Sequence, residues 1–106
     1  MENNEFLPIQ NEQELQELNR TIKNGLAIKS MVESDGWKNV LKPQLDAKIG
    51  ELLNSFRNAK TYEEFVKVQQ AINAIENIVQ FCSLSIMLGQ QASQRIEQQN
   101  EKDLNK

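Results

Sequence analysis

The stretch that decides the fold is TYEEFVKVQQAINAIENIVQFCSLSIMLG, residues 61–89. It opens with a capping box, because Thr61 and Glu64 can each satisfy a backbone N–H that the first turn of a helix leaves free. Apolar residues then recur at spacings of three and four without a miss: Phe65, Val68, Ile72, Ile75, Val79, Cys82 and Ile86. This spacing puts them on one side of a helix, as in a coiled coil. We therefore predict a long helix over residues 61–98.

Two further helices are predicted before this one. Asn11 and Glu14 form another capping box, and the apolar residues after it recur at helical spacing, which predicts a helix over 11–33. Gly25 weakens that helix, so we expect it either to permit a close approach or to mark a bend. The next helix is predicted over 36–59, after a Ser-Asp-Gly break, with a kink or a short separate helix where Pro43 removes a hydrogen bond.

These elements predict an all-α fold, since glycine and proline are few and strand-type alternation is absent. We expect a three-helix up-down-up bundle or a helical hairpin with a long C-terminal helix. Residues 11–98 should form a single domain, residues 1–10 a flexible N-terminal segment and residues 99–106 a frayed polar tail.

The predicted helices differ in length, which matters for function. The second would be about 36 Å long and the third about 57 Å, at 1.5 Å per residue. If the second and third helices paired antiparallel across the turn at Lys60, with the first helix beside the early part of the third, everything after Gly89 would project without cover from its own chain. We therefore predict self-association, or docking on a protein partner, through the C-terminal helix.

The candidate partner-binding residues follow from that reasoning. A patch off the main apolar seam comprises Ile78, Phe81, Leu84 and Leu88, and Ile96 lies in the expected overhang. The alternative for the patch is that it covers the first helix or Trp37. Trp37 itself is interpreted either as the cap of the bundle core or as a binding hot spot.

Several functional classes find no support in the sequence. There is no histidine, so the usual general base is missing, and we expect no catalytic activity. The single cysteine, Cys82, lies on the apolar seam and is expected to be a buried small side chain. No phosphate-binding motif occurs, so no nucleotide or other cofactor is expected, and no metal is expected because histidine, the commonest metal ligand, is absent. A formal charge of −3 argues against nucleic acid as a partner.

The remaining nucleic-acid signal and the membrane signal are both weak. Lys38, Lys42 and Lys48 could lie together near Trp37, but a solvated lysine face is the favoured explanation. The acidic start lacks the features of a signal peptide, and the apolar stretch 78–88 is short for a membrane span. We therefore expect a cytoplasmic protein that does not enter a membrane.

One resemblance adds to this interpretation. Its features are a Trp at a helix start with a nearby Pro (Trp37 and Pro43), the acidic capped turn 61–65 with an aromatic, and a long helix with Gln and Ile on one face. Over roughly residues 34–80 this layout resembles small helical proteins encoded among the head and tail genes of tailed bacteriophages.

The resemblance implies either a non-catalytic component of the phage particle or an assembly factor that acts in the host cytoplasm. Two alternatives remain open. One is a small cytosolic regulator or phage-encoded inhibitor that binds a host protein. The other is a helical DNA-binding packaging factor.

Overall fold

A computed structural model of the chain describes residues 8–104. Within that range lie three α-helices and no strand: α1 (Glu12–Val32), α2 (Lys42–Asn58) and α3 (Tyr62–Leu104). A π-helical turn, Trp37–Leu41, leads directly into α2. The predicted all-α class with a long C-terminal helix is confirmed.

The N-cap hydrogen bond of each predicted capping box is present. The backbone N–H of Glu14 donates to the side-chain oxygen of Asn11 at 2.8 Å, and that of Glu64 donates to the hydroxyl of Thr61 at 3.1 Å. In return, the Glu64 carboxylate accepts the N–H of Lys60 at 2.7 Å. These bonds satisfy backbone donors that have no partner inside the helix, which fixes where α1 and α3 begin.

The turn before α2 shows what Pro43 does to the helix. Ser34 caps this segment, since its hydroxyl accepts the N–H of Trp37 at 3.3 Å. At the end of the π turn the N–H of Lys42 bonds to the carbonyl of Trp37, five residues earlier. In a regular α-helix the ring of Pro43 would press on the carbonyl of Asn39. The wider π turn is the local adjustment, so the segment is neither a separate α-helix nor a simple kink.

The C-terminal helix is longer than predicted. α3 continues to Leu104, six residues beyond the expected end at residue 98. The part of the expected frayed tail that is described, residues 99–104, is therefore helical, whereas residues 105–106 lie outside the described residues.

The described part of the expected flexible N-terminal segment makes contacts with α3. Residues 8–10 are not helical, but the N–H of Ile9 donates to the side-chain oxygen of Gln99 at 3.4 Å. The carbonyl of Pro8 accepts a bond from Arg95 at 3.2 Å. The rest of that predicted segment, residues 1–7, lies outside the described residues.

The chain forms two compact units where we expected a single domain. The described part of unit A consists of residues 8–29 with residues 84–104, and unit B is Ser30–Ser83. Helix α3 contributes its first half to unit B and its second half to unit A. In unit B, the rings of Phe56 and Phe65 meet edge to face with centroids 4.3 Å apart, which joins α2 to the start of α3.

Unit A is held by a close approach of two glycines. A methyl group added at Gly25 would lie 2.8 Å from the carbonyl oxygen of Ser85 and 3.0 Å from the Cα of Gly89. Both glycines are buried. The backbones of α1 and α3 can come this near only because neither glycine carries a side chain, so the close approach expected at Gly25 is confirmed.

An ion pair at the N-terminal end of α1 also joins α1 to α3. Arg95 on α3 bonds to the carboxylate of Glu14 in the first turn of α1. Between this pair and the glycines lies Ala92, which is 4% exposed. The second half of α3 is therefore covered by α1 from Ser85 to Arg95.

The prediction that the end of α3 has no cover from its own chain is wrong. We expected α1 to lie beside the early part of α3 and the residues after Gly89 to have no cover. Instead α1 pairs with the second half of α3, because the two glycines match each other there and Glu14 reaches Arg95. Any partner-binding surface on α3 must therefore consist of side chains that α1 leaves exposed.

Replacing Gly25 with alanine should destabilise the protein. The new methyl group would force the two backbones apart, and we expect a loss of about 1–3 kcal/mol in the free energy of unfolding, as for other overpacked sites. Gly50→Ala is the matched control, since nothing lies within 4 Å of a methyl group at Gly50 in α2. That substitution should stabilise by about 0.5–1 kcal/mol through helix propensity. Chemical denaturation followed by circular dichroism measures both, and equal shifts in the two variants would contradict this account.

Candidate protein-binding surface

Helix α3 carries four large apolar side chains that remain in contact with solvent. The exposed fractions are 53% for Ile78, 61% for Phe81, 48% for Leu84 and 42% for Leu88. At 3.6 residues per turn they fall within an arc of about 120°. They lie on a different side of α3 from Ile72, which is buried with 7% of its surface exposed.

Few hydrophobic side chains of the described residues are buried, and many large ones are exposed. Among the described residues, only Ile72, Cys82 and Ala92 are buried hydrophobic side chains, whereas fourteen large hydrophobic side chains are exposed. Scattered exposed apolar residues are ordinary, but a contiguous set on one helix is typical of a protein contact. Of the fourteen, five lie in the eleven residues from Ile78 to Leu88, the four above and Met87.

In unit A the exposed side chains continue into an open groove. Leu88 and Ala92 from α3 line it together with Leu18 and Thr21 from α1. Arg95 and Gln91 complete the lining. Since Leu84 lies one helical turn before Leu88, it extends the apolar side of the groove along α3.

This part of α3 carries no charge. From Asn77 to Gln94 the sequence contains no Asp, Glu, Lys or Arg, and Glu76 and Arg95 flank this stretch. Among the polar side chains near the exposed leucines are the amides of Gln80 and Gln91 and the hydroxyls of Ser83 and Ser85. Covering the surface would therefore bury no unpaired charge, which is the most costly component of an interface.

The other two predicted binding residues lie elsewhere. Ile96 is half-buried in unit A, eight residues beyond Leu88 and so about 80° further around the helix. Trp37 is half-buried at the start of the π turn in unit B. The structure thus brings four of the six candidates onto one face of α3 and leaves these two outside it.

Sequence reasoning missed five of the six residues that line this groove: Leu18, Thr21, Gln91, Ala92 and Arg95. Leu18 and Thr21 lie in α1, and they join the groove only because α1 pairs with the second half of α3. No sequence pattern indicated that pairing. Gln91 could have been found, because it continues the helical spacing of Leu84 and Leu88 by three residues.

The titratable side chains outside this surface form no metal site within the described residues. No cluster of three or more potential metal ligands occurs within residues 8–104. Of the three lysines considered for nucleic acid, Lys42 forms an ion pair with Asp46 at 2.9 Å, which neutralises part of that basic surface. Lys38 and Lys48 are exposed.

The length and composition of α3 would also allow it to cross a membrane. It is the one described helix that meets this criterion, and 11% of its most apolar stretch is buried within the structure. Core helices of proteins that never enter a membrane meet the same criterion. This observation alone therefore assigns no membrane role.

Comparison with known proteins does not place the chain in a family. No family model matches it, and neither a curated protein nor a solved structure shows significant similarity to it.

The thiol of Cys82 should react slowly in the folded protein. It is free and buried, with 5% of its surface exposed, on the apolar seam of α3 that also carries Ile72. We expect alkylation by a bulky maleimide to be at least about tenfold slower than in denaturant, because the thiol must first become exposed. Mass spectrometry of timed samples measures the rate. Labelling as fast as that of the unfolded chain would show that this part of α3 is not packed as described.

Proposed function

We propose that this chain is a non-catalytic assembly protein that acts through helix-mediated protein contacts. The contact surface is the exposed face of α3 formed by Ile78, Phe81, Leu84 and Leu88. The observation that carries the proposal is the combination of large exposed apolar side chains with an uncharged stretch of 18 residues, Asn77 to Gln94. Such a surface gains free energy when it is covered and loses little by desolvation.

The proposed setting is the assembly of a tailed-phage particle in the cytoplasm of the host cell. Its support is the resemblance over residues 34–80, carried by Trp37, Pro43 and the capped turn at Thr61–Glu64. A structural protein of this kind would work by presenting helix faces at fixed spacing. Within that proposal, α3 supplies the contact surface.

A charge placed on the exposed face should abolish the contact. Phe81→Glu introduces a carboxylate where the partner would have to bury it, and we expect at least a tenfold loss of association, which corresponds to about 1.4 kcal/mol. Tyr62→Glu is the matched control, since Tyr62 is 85% exposed and lies 19 residues earlier on the same helix. It makes the same chemical change outside the proposed surface.

Two measurements distinguish the outcomes. Particles purified from the strain that encodes the chain are analysed by mass spectrometry, and the purified protein is sized by light scattering. Circular dichroism confirms that each variant is folded. Absence from the particles would remove the phage setting, and a Phe81→Glu variant that associates as well as the Tyr62→Glu variant would remove the proposed surface.

Point substitutions serve this purpose better than truncation at Gly89. Removing the residues after Gly89 would delete Ala92 and Arg95, which hold α1 against α3. A loss of association after truncation would then reflect unfolding of unit A as much as loss of a contact.

A further inference from the structure

The chain just before α1 is held against the second half of α3. The carbonyl of Pro8 accepts a hydrogen bond from Arg95 at 3.2 Å, and the N–H of Ile9 donates to the side-chain oxygen of Gln99 at 3.4 Å. These two backbone atoms belong to the same peptide group, which is therefore bonded through both its acceptor and its donor. Pro8 thus has a fixed place beside Arg95.

The same arginine lines the open groove between α1 and α3. Arg95 and Leu88 mark the two ends of this groove along α3, about 10 Å apart. The apolar part of the lining consists of Leu88, Ala92 and, from α1, Leu18. The volume of the groove is about 320 Å³, against about 30 Å³ for a single water molecule. There is therefore room in it for a large side chain.

We propose that this groove is occupied by a segment of the same chain, residues 5–7. Phe6 and Leu7 directly precede Pro8 in the sequence, and both are large and apolar. Their side chains would cover the apolar lining of the groove, which removes apolar surface from water on both sides of the contact. This inference goes beyond the proposed function, because it concerns a contact within a single chain.

The length of the segment fits the groove. An extended chain advances about 3.3–3.6 Å per residue, so Phe6 can lie as far as about 7 Å from Pro8. One helical turn of α3, from Arg95 to Gln91, measures about 6 Å. A residue that precedes a proline favours extended backbone, so Leu7 is biased towards the conformation that reaches furthest. Phe6 can therefore reach the middle of the groove while Pro8 keeps its bond to Arg95.

Attachment at the end of the groove favours this segment over a separate molecule. A group joined by a short linker to a site that is already bound has an effective concentration in the millimolar range. A second copy or a different protein would lose translational and rotational freedom on binding, whereas Phe6 has lost most of it already.

The charges in the groove also suit this occupant. Among the described residues that line it, only Arg95 is charged, and Arg95 is paired with Glu14. Neither Phe6 nor Leu7 carries a charge, so filling the groove with them buries no new charge.

The occupied groove would also narrow the proposed protein-binding surface. Leu88 belongs to both, so a segment in the groove would cover it from within the chain. Ile78, Phe81 and Leu84 would then be the part of the surface that remains for a partner. This consequence rests on the proposed function, whereas the occupancy of the groove does not.

Disulfide trapping in the full chain tests the occupancy. Glu5→Cys combined with Gln91→Cys places one thiol in the segment and one in the groove, and leaves Phe6 and Leu7 unchanged. The matched control combines Glu5→Cys with Gln90→Cys, since Gln90 lies about 100° away around α3 and lines a different pocket. Gln90 and Gln91 are both exposed, so both variants should fold, and circular dichroism checks this.

We expect the disulfide to Gln91→Cys to form within one chain, at least about tenfold faster than that to Gln90→Cys, because a disulfide needs Cα atoms within about 7 Å. Cys82 is buried and stays in place, and mass spectrometry of peptides identifies each disulfide. Equal rates for the two pairs would overturn the occupancy. A disulfide that joins two chains would also overturn it, since the occupant would then be a second copy.

A charge at Phe6 tests whether apolar contact holds the segment. Phe6→Glu, added to the Glu5→Cys and Gln91→Cys pair, should slow the cross-link at least about threefold, because a carboxylate gains nothing from an apolar lining. Asn3→Glu adds the same charge outside residues 5–7 and should leave the rate unchanged. Equal rates in these two variants would overturn the inference.

These measurements need no partner, so the two proposals fail separately. Failure of the cross-link would leave the assembly function standing. Absence of the protein from phage particles would leave the occupied groove standing.

Discussion

The structure of unit A depends on the contact between Gly25 and Gly89. Two helices normally keep about 8–10 Å between their axes because side chains separate them. Here a single added methyl group would meet backbone atoms of the opposite helix at 2.8 Å and 3.0 Å. The contact fixes the register of α1 on α3, and that register buries Ala92 and brings Glu14 to Arg95. The groove beside Leu88 exists because α1 lies at that position.

Local features of the chain could be predicted well from the sequence. The capping residues Asn11, Ser34 and Thr61 mark the helix starts correctly, because a cap depends on atoms within three or four residues. The π turn before Pro43 was not predicted, although a kink or a short separate helix was expected there. Pro43 shows that the helix must depart from regular geometry at this point. Whether the helix kinks, breaks or widens depends on the packing around the proline.

Helix pairing could not be predicted in the same way. The periodicity of α3 shows which of its side chains share a face, but not which helix covers that face. A close approach could be expected at Gly25 from its place inside a helix, but nothing in the sequence identifies Gly89 as the residue that it meets. The same limit applies to the binding surface. Phe81, Leu84 and Leu88 could be found from their spacing, whereas Leu18 entered the groove through a pairing 70 residues apart in sequence.

The division of the chain also has a consequence for how it folds during synthesis. Unit B is one uninterrupted segment, so all of its contacts are available once residue 83 has left the ribosome. Unit A joins residues near both ends of the chain, and Glu14 must wait for Arg95, 81 residues later. Contacts of such sequence separation form slowly, because a long loop has to close first. Nascent α1 therefore exposes its apolar side until the second half of α3, which covers it, has been synthesised.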